Sequence, residues 1–362
     1  MNRAGPMRNQ GASRRFVLLC LAVGLLSVAA PFLFPAIVKQ LSIFWVMVIV
    51  AYTWDTMGGQ LGYNSFGNIV FFGAGIYVSA IIQIAPFTNM RDYTAAGEEG
   101  AALTLTMAQY LGGLAPGLVA AAAIGFVLAI AFGFVILGLR GHYFAIGTLA
   151  LGIFVAQIFA NWEYVGAGSG IIMPELPGRG RASDQEKSLL FYFLCLLLAG
   201  ATIFFLRWLY TTRFGLAINA IRDDEDKAEA MGIATTLYKV AAWSVSGFFL
   251  GICGALYGNI VRFVDPEETA FDGPGLGVWM VLMAVLGGKG SLWGPLIGAV
   301  LFHATKELLW TYLLGFQNIA LGLLVVIIVV FFPEGIMGWI RARWPALVGE
   351  RVDASAQSQA AR

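Results

Sequence analysis

The sequence predicts an all-α, polytopic membrane protein, and three observations carry that prediction. Hydrophobic residues make up 59% of the 362 residues and charged ones 12%, about half the charged share of a soluble domain. The apolar residues come in runs of roughly 20, the length a helix needs to cross hydrocarbon. The charges gather between those runs and in the two tails. A rule of one domain per ~150 residues does not apply to such a chain, which reads as one membrane unit.

The elements follow in order. Arg3, Arg8, Arg14 and Arg15 precede an apolar run from Phe16 to Leu33. That run exceeds the ~7–15 residues of a signal-peptide core, so it reads as a retained first helix. About ten spans are expected, near 16–36, 40–58, 66–85, 112–137, 143–161, 189–208, 239–260, 276–288, 293–312 and 317–333. Residues 1–15 and 341–362 are then tails around a membrane domain at 16–340, and the small polar residues after Val352 predict disorder. Ten spans put both termini on one side. With that side cytoplasmic, 15 of the 22 Lys and Arg residues lie inside, as the positive-inside rule requires. Two long outer loops, 86–111 and 162–188, are expected either to be solvated connectors or to meet a soluble partner.

Composition excludes several functions. A net charge of +1 gives no case for nucleic-acid binding. Cys20, Cys195 and Cys253 are isolated in apolar runs and read as small core residues, while His142 and His303 lack partners at metal-ligand spacing. No cofactor or metal is therefore expected. Gly288-Lys289 resembles a fragment of a phosphate loop, but Met283 and Gly290 stand where that motif needs Gly and Ser or Thr. Energy from ATP would have to arrive through a partner. A membrane enzyme would need a nucleophile–base pair or metal cluster. A self-sufficient secondary transporter would need ion ligands or a carboxylate relay, and the spans hold few acids.

Two glycine-rich segments stand out. One runs from Gly58 to Asn68 between the second and third spans, and the other from Gly287 to Pro295 between the eighth and ninth. Non-helical backbone at membrane depth is tolerated only inside protein or along a cavity. Transporters place such broken or re-entrant helices at matching positions of two pseudo-repeated halves. Close helix packing is the other use of such glycines. Asp55, Tyr63, Asn64, Ser65, Gly67, Asn68, Gly288, Gly290, Ser291 and Gly294 are the expected pathway residues.

The segment from about 209 to 238 is polar and dense in charge, so it cannot cross hydrocarbon. Arg213 to Gly232 has loosely helical apolar spacing, Asp223 and Lys227 stand at i,i+4, and Gly232 supplies a stop. It reads as a docking helix on the cytoplasmic side, against the alternative of a solvated amphipathic connector.

These residues together resemble a known family. RFGLAINAIRDDEDKAEAMGI, Tyr238-Lys239, GALYGNIVRFVDPEE, VLGGKGSLWGPLIGA and GLLVVIIVVFFPEGIMG, with LRGHYFAIGTLALG and GYNSFGNIVFFGAGIY, are similar to the LivM-type permease subunit of branched-chain amino acid ABC importers over about 40–340. The resemblance implies a helical permease in the cell inner membrane. It also implies two cytoplasmic ATPase subunits, a second permease subunit and a periplasmic substrate-binding protein as partners. Arg222, Asp223, Glu225, Ala228, Met231 and Gly232 would form the ATPase-coupling loop. His142, Ile153, Asn68, Asp55 and the stretch GAGSGI depart from the family's usual residues. Permeases for urea and short amides are closely similar, so the solute stays open between those classes.

Overall fold

The structure, a computed structural model, describes residues 23–96, 105–175, 181–312 and 335–343, with isolated positions between 316 and 326. The N-terminal tail, residues 16–22 of the first span, most of the tenth span and the C-terminal tail beyond 343 lie outside the described residues.

The apolar runs are helical because each backbone N–H and C=O at membrane depth must be satisfied within the chain. Among the described residues, six segments are long and apolar enough to cross a membrane: Pro35–Gln60, Met107–Ile136, Gly141–Ala160, Gln185–Tyr210, Thr235–Val261 and Pro266–Gly287. The chain is thus a multi-pass membrane protein, and six rather than ten is the number of spans the described residues yield. We name the helices α1 (Val23–Leu33), α2 (Val38–Asp55), α3 (Ile69–Ile84), α4 (Met90–Ala95), α5 (Met107–Ile136), α6 (Gly141–Ala160) and α7 (Arg181–Tyr210). After them come α8 (Arg213–Asp223), α9 (Glu225–Ala230), α10 (Thr235–Val261), α11 (Val278–Gly287), α12 (Gly294–Tyr312) and α13 (Gly335–Arg343).

Helix α3 is the hub. It is buried on nearly every side and packs on α5 and α10. The contact is a glycine seam. A Cβ on Gly75 would overlap the carbonyl of Gly251, one on Gly251 the carbonyl of Ala121, and one on Gly125 the carbonyl of Gly247. Small residues let backbones approach and gain dispersion contact where no hydrophobic force acts between helices. Large apolar side chains such as Val119, Val135, Phe154, Leu197 and Phe204 face outward, as a lipid-bathed surface permits.

Two features were not legible in advance. The eighth span, expected at 276–288, begins ten residues earlier. Two π-helical turns, Pro266–Ala270 and Gly273–Gly277, precede α11. Asp265 accepts from the N–H groups of Glu267 and Glu268, and Asp272 from those of Gly275 and Leu276. Acids, prolines and glycines at these turns hid a spanning segment from a hydropathy reading. The second feature qualifies the all-α expectation. Ile171–Ile172 (β1) and Phe263–Val264 (β2) form an antiparallel ribbon with Ile171 opposite Val264. Glu175 pairs with Arg262 at 3.1 Å and Lys187 at 3.4 Å, and the Tyr93 hydroxyl donates to the Ile172 carbonyl. Val165, Ile171 and Met173 are buried, so the described stretch 162–175 packs against the bundle. Strands of two residues leave no periodic signal.

Helix α10 spans the bundle, from Lys239 near one end to Arg262 at the ribbon end, about 34 Å at 1.5 Å per residue. Arg140 and Glu225 cluster at the Lys239 end. Gly251→Leu, placed against the α5 backbone, is expected to destabilise the bundle by about 3 kcal/mol or more, since overpacking a tight seam costs roughly 1–3 kcal/mol. A lowered melting temperature of the detergent-solubilised protein would register it, while Gly112→Leu, at an open position, should melt like the wild type.

Candidate functional site

The two glycine-rich breaks meet. Helix α2 widens into a π-helical turn at Thr56–Gln60, and the chain then runs without helix until Asn68. The second break runs from Gly288 to Trp293. The buried Asp55 carboxylate accepts from the Gly290 N–H at 2.7 Å, and the Tyr52 hydroxyl donates to the Leu292 carbonyl at 2.6 Å. Gly288 and Gly290 hold φ of 111° and 73°, in the left-handed region where a side chain would be strained. Gly335 of α13 packs on Gly288 so closely that a Cβ there would lie 2.5 Å from its nitrogen.

Each break is satisfied by side chains. The Trp54 indole donates to the Ser65 carbonyl at 2.7 Å, and Thr148 Oγ1 accepts from the Phe66 N–H. Trp243 Nε1 donates to Asn68 Oδ1 at 2.7 Å. Ser65 Oγ accepts from the Gly67 N–H, and Ser291 Oγ from the Gly294 N–H at 2.9 Å. In both breaks a serine oxygen thus accepts from the N–H of a buried glycine shortly before or at the start of the next helix. Of the ten expected pathway residues, Asn64 is exposed, and the others are buried or, at Gly290, partly buried.

The charged segment is not one helix. Asp224 adopts φ −164° and ψ 105° and caps α9 by accepting from the Lys227 N–H at 3.0 Å. An aspartate that bonds the backbone ahead of it favours a cap over a helix interior. Lys227 pairs with Asp224 at 2.8 Å, and Asp223 with its neighbour Arg222. Gly232, at φ 88°, ends α9 with paired bonds from Ile233 N–H to Ala228 and from Gly232 N–H to Glu229.

The six expected coupling residues divide between two faces. Ala228 is buried, and Glu225 points into the bundle with its side chain 12% exposed. It meets Lys239 of α10, 3% exposed, at 2.8 Å. The same ammonium donates to the Leu137 carbonyl at 2.8 Å and the Tyr63 hydroxyl at 3.2 Å, and Tyr63 donates to the other Glu225 oxygen. Arg140 closes the outer side, 3.6 Å from Glu225 and 2.7 Å from Asp226. Arg222 leans on Gly62, where a Cβ would lie 3.0 Å from its Cγ. Asp223, Met231 and Gly232 face outward, Met231 85% exposed. Lys239, Arg140 and Thr148 were missed as site residues; a lysine four residues inside an apolar run, with an acid upstream, was the available signal.

The matching of these groups sets their protonation. Burial raises the Glu225 pKa, but hydrogen bonds from Lys239 and Tyr63 outweigh it and hold the carboxyl below its ordinary range. Burial, with the Glu225 carboxylate beside it, pushes the Tyr63 hydroxyl up, so it stays a donor.

The comparisons with known proteins bear on this arrangement. A family model described as the permease component of a branched-chain amino acid transport system matches residues 36–332. The chain belongs to that family. This permease is 28% identical over 356 residues to the high-affinity branched-chain amino acid transport system permease protein LivM of Escherichia coli (strain K12), covering 88% of this chain and 81% of the relative. It is 27% identical over 214 residues to the nucleoside ABC transporter permease protein NupC of Lactococcus lactis, covering 55% of this chain and 64% of the relative. LivH of Salmonella typhimurium, another branched-chain permease protein, is 26% identical over 147 residues, 40% of this chain and 44% of LivH. No solved structure matches the chain.

Truncating one partner of a buried ion pair strands the other charge and costs about 3–5 kcal/mol. Lys239→Met is therefore expected to destabilise the permease by that amount, and adding Glu225→Gln should recover part of the loss. Melting temperatures of the three variants test it, and additive losses would contradict the pairing. Because the folded-state pKa of Glu225 is lowered, its stabilisation is present above the usual glutamate value of about 4.3 and fades as pH falls below it. In Glu225→Gln that part of the acid sensitivity should be gone.

Proposed function

We propose that this permease is the membrane-spanning subunit of an ABC importer that carries branched-chain amino acids inward by alternating access. On this reading it lies in the cell inner membrane with both termini cytoplasmic. It pairs with a second permease subunit, receives solute from a periplasmic binding protein and is driven by separate ATPase subunits. ATP is bound and hydrolysed on those partners, since this chain carries no GxxxxGK[ST] sequence.

The observation that carries the reading is the two-faced α8–α9 pair. Its inner face is tied through Glu225 to Lys239 and Tyr63, and hence to the first break. Leu216 of α8 and Met231, just after α9, are exposed apolar side chains, and Asp223, Asp226 and Glu229 are exposed acids of the same segment. Exposed apolar side chains in a charged segment suit a groove on a soluble partner. The meeting of the two breaks supports pseudo-repeated halves, with the pathway beside Asp55, Asn68 and Gly290. The match to NupC favours a nucleoside as the second reading of the solute. Competition of unlabelled leucine and uridine against labelled leucine uptake decides between them.

Affinity purification from the native membrane should recover a P-loop ATPase and a second permease. Met231→Asp, which alters only the exposed face, is expected to cut ATPase recovery and solute uptake at least tenfold with the melting temperature unchanged. Full recovery with Met231→Asp would place the ATPase elsewhere.

A further inference from the structure

Buried side-chain polar atoms lacking a hydrogen-bond partner are few among the described residues, and Tyr77 Oη is one of them. Tyr77 stands midway along α3, fully buried. It is nine residues beyond Asn68, about 13 Å further into the bundle from the first break. A buried hydroxyl left unmatched is destabilising. Phenylalanine would fill the same space without that cost.

The ring of Tyr77 belongs to a closed triangle drawn from three elements. Phe159, at the end of α6, lies 4.5 Å from it between centroids. Phe271 stacks on it at 6.0 Å with 10° between planes, and Phe159 and Phe271 are 5.0 Å apart. Phe271 occupies the step between the two π-helical turns, just before the Asp272 cap. Its ring rests on Gly73 so closely that a Cβ there would collide with it. A backbone without continuous helical bonding on either side is a natural pivot, and π-type turns often sit at functional sites.

The surroundings of the triangle differ on its two sides. Toward the ribbon end stand Trp162, packed on Phe159, and Glu267, paired with Gln157 at 2.7 Å. Toward the breaks, small residues separate α3 from its neighbours: Gly152 and Gly277 both face Ile69. The rings therefore stand between polar side chains toward the ribbon end and small residues toward the breaks.

We propose that Tyr77, Phe159 and Phe271 form the outer gate of the translocation route, and that the Tyr77 hydroxyl is the first fixed polar contact for an aliphatic, zwitterionic solute when the rings part. This rests on the transport function proposed above. The aliphatic side chain takes the place of ring against ring, and the hydroxyl can donate to the solute's carboxylate. Tyr77 touches solute in this scheme, whereas Phe159 and Phe271 close behind it.

Two measurements on the full chain with its native membrane partners test the gate. The first is labelled leucine uptake by Tyr77→Phe, which keeps the ring and removes the oxygen. KM should rise about tenfold, the effect of losing ~1.4 kcal/mol, with the maximal rate nearly kept. An unchanged KM in a leucine-transporting system overturns the contact. The second needs no knowledge of the solute. In a background with Cys20, Cys195 and Cys253 replaced by alanine, Phe271→Cys is probed with a membrane-impermeant maleimide. Labelling should rise severalfold in one nucleotide state of the ATPase and fall in another. A cysteine that never reacts, or reacts equally in every state, overturns the gate. Should leucine not be carried at all, the proposed solute fails while the labelling still decides the gate.

Discussion

The buried pairing of Glu225 with Lys239 is the constraint on which the rest of the site depends. Helices of 11 and 6 residues, the lengths of α8 and α9, are too short to persist in water alone. They hold shape here because Ile218, Ile221 and Ala228 pack inward and Glu225 is clamped by an ammonium, a phenol and a guanidinium. Two charges taken out of water gain little net stability over an apolar pair. What they supply is position. Lys239 finds its donors' partners at Leu137, Tyr63 and Glu225 in one arrangement of α9 against the bundle, and a slip of one turn would leave an ammonium unmatched.

That fixed position reaches the breaks through short, directional contacts. Tyr63 lies in the first break and bonds Glu225 directly, and Arg222 rests on Gly62, the residue before it. From the end of α2, just before that break, Asp55 holds Gly290 and Tyr52 holds Leu292. The irregular backbone is tolerable at this depth because indole, hydroxyl and carboxylate groups take the places that helical partners would have filled. Glycine serves a separate need at Gly59 and Gly335, where backbones approach too closely for any side chain. The charged pair of helices and both breaks thus form one hydrogen-bonded block at one end of the molecule.

Much of this was legible in the sequence, and the misses have physical causes. Long apolar runs specify helices strongly, so α5, α6, α10 and α12 lie close to where hydropathy puts them, while α7 starts at Arg181 rather than near 189. The breaks were visible because glycines cluster there. Their mutual contact was not, since Asp55 and Gly290 are 235 residues apart and a single carboxylate-to-amide bond leaves no periodic trace. The Arg213–Gly232 stretch reads as one helix on spacing alone. Asp224 divides it by bonding forward to Lys227, a local competition that periodicity does not register. Glu225 looked like a surface charge because charge runs usually are. Its inward turn depends on Lys239, which sits 14 residues on in a segment that reads as membrane.

The end with the breaks and the aromatic triangle at Tyr77 are held by different kinds of force, and the difference bears on how the bundle could move. The end with the breaks is joined by hydrogen bonds and ion pairs, which in a low-dielectric interior are strong when made and costly when left unmade. At the gate proposed above, Tyr77, Phe159 and Phe271 meet through ring contacts. Ring pairs carry about 0.5–1.5 kcal/mol each beyond their buried area and tolerate several geometries. A push on α8 and α9 would therefore carry the bonded block as a body, and the strain would be taken up where contacts are least directional. The pivot is then the Pro266–Gly277 segment, whose caps at Asp265 and Asp272 preserve each turn while the step between them bends. A handle built from polar bonds and a gate built from aromatic packing are what a rigid-body mechanism requires, because the handle must not yield before the gate does.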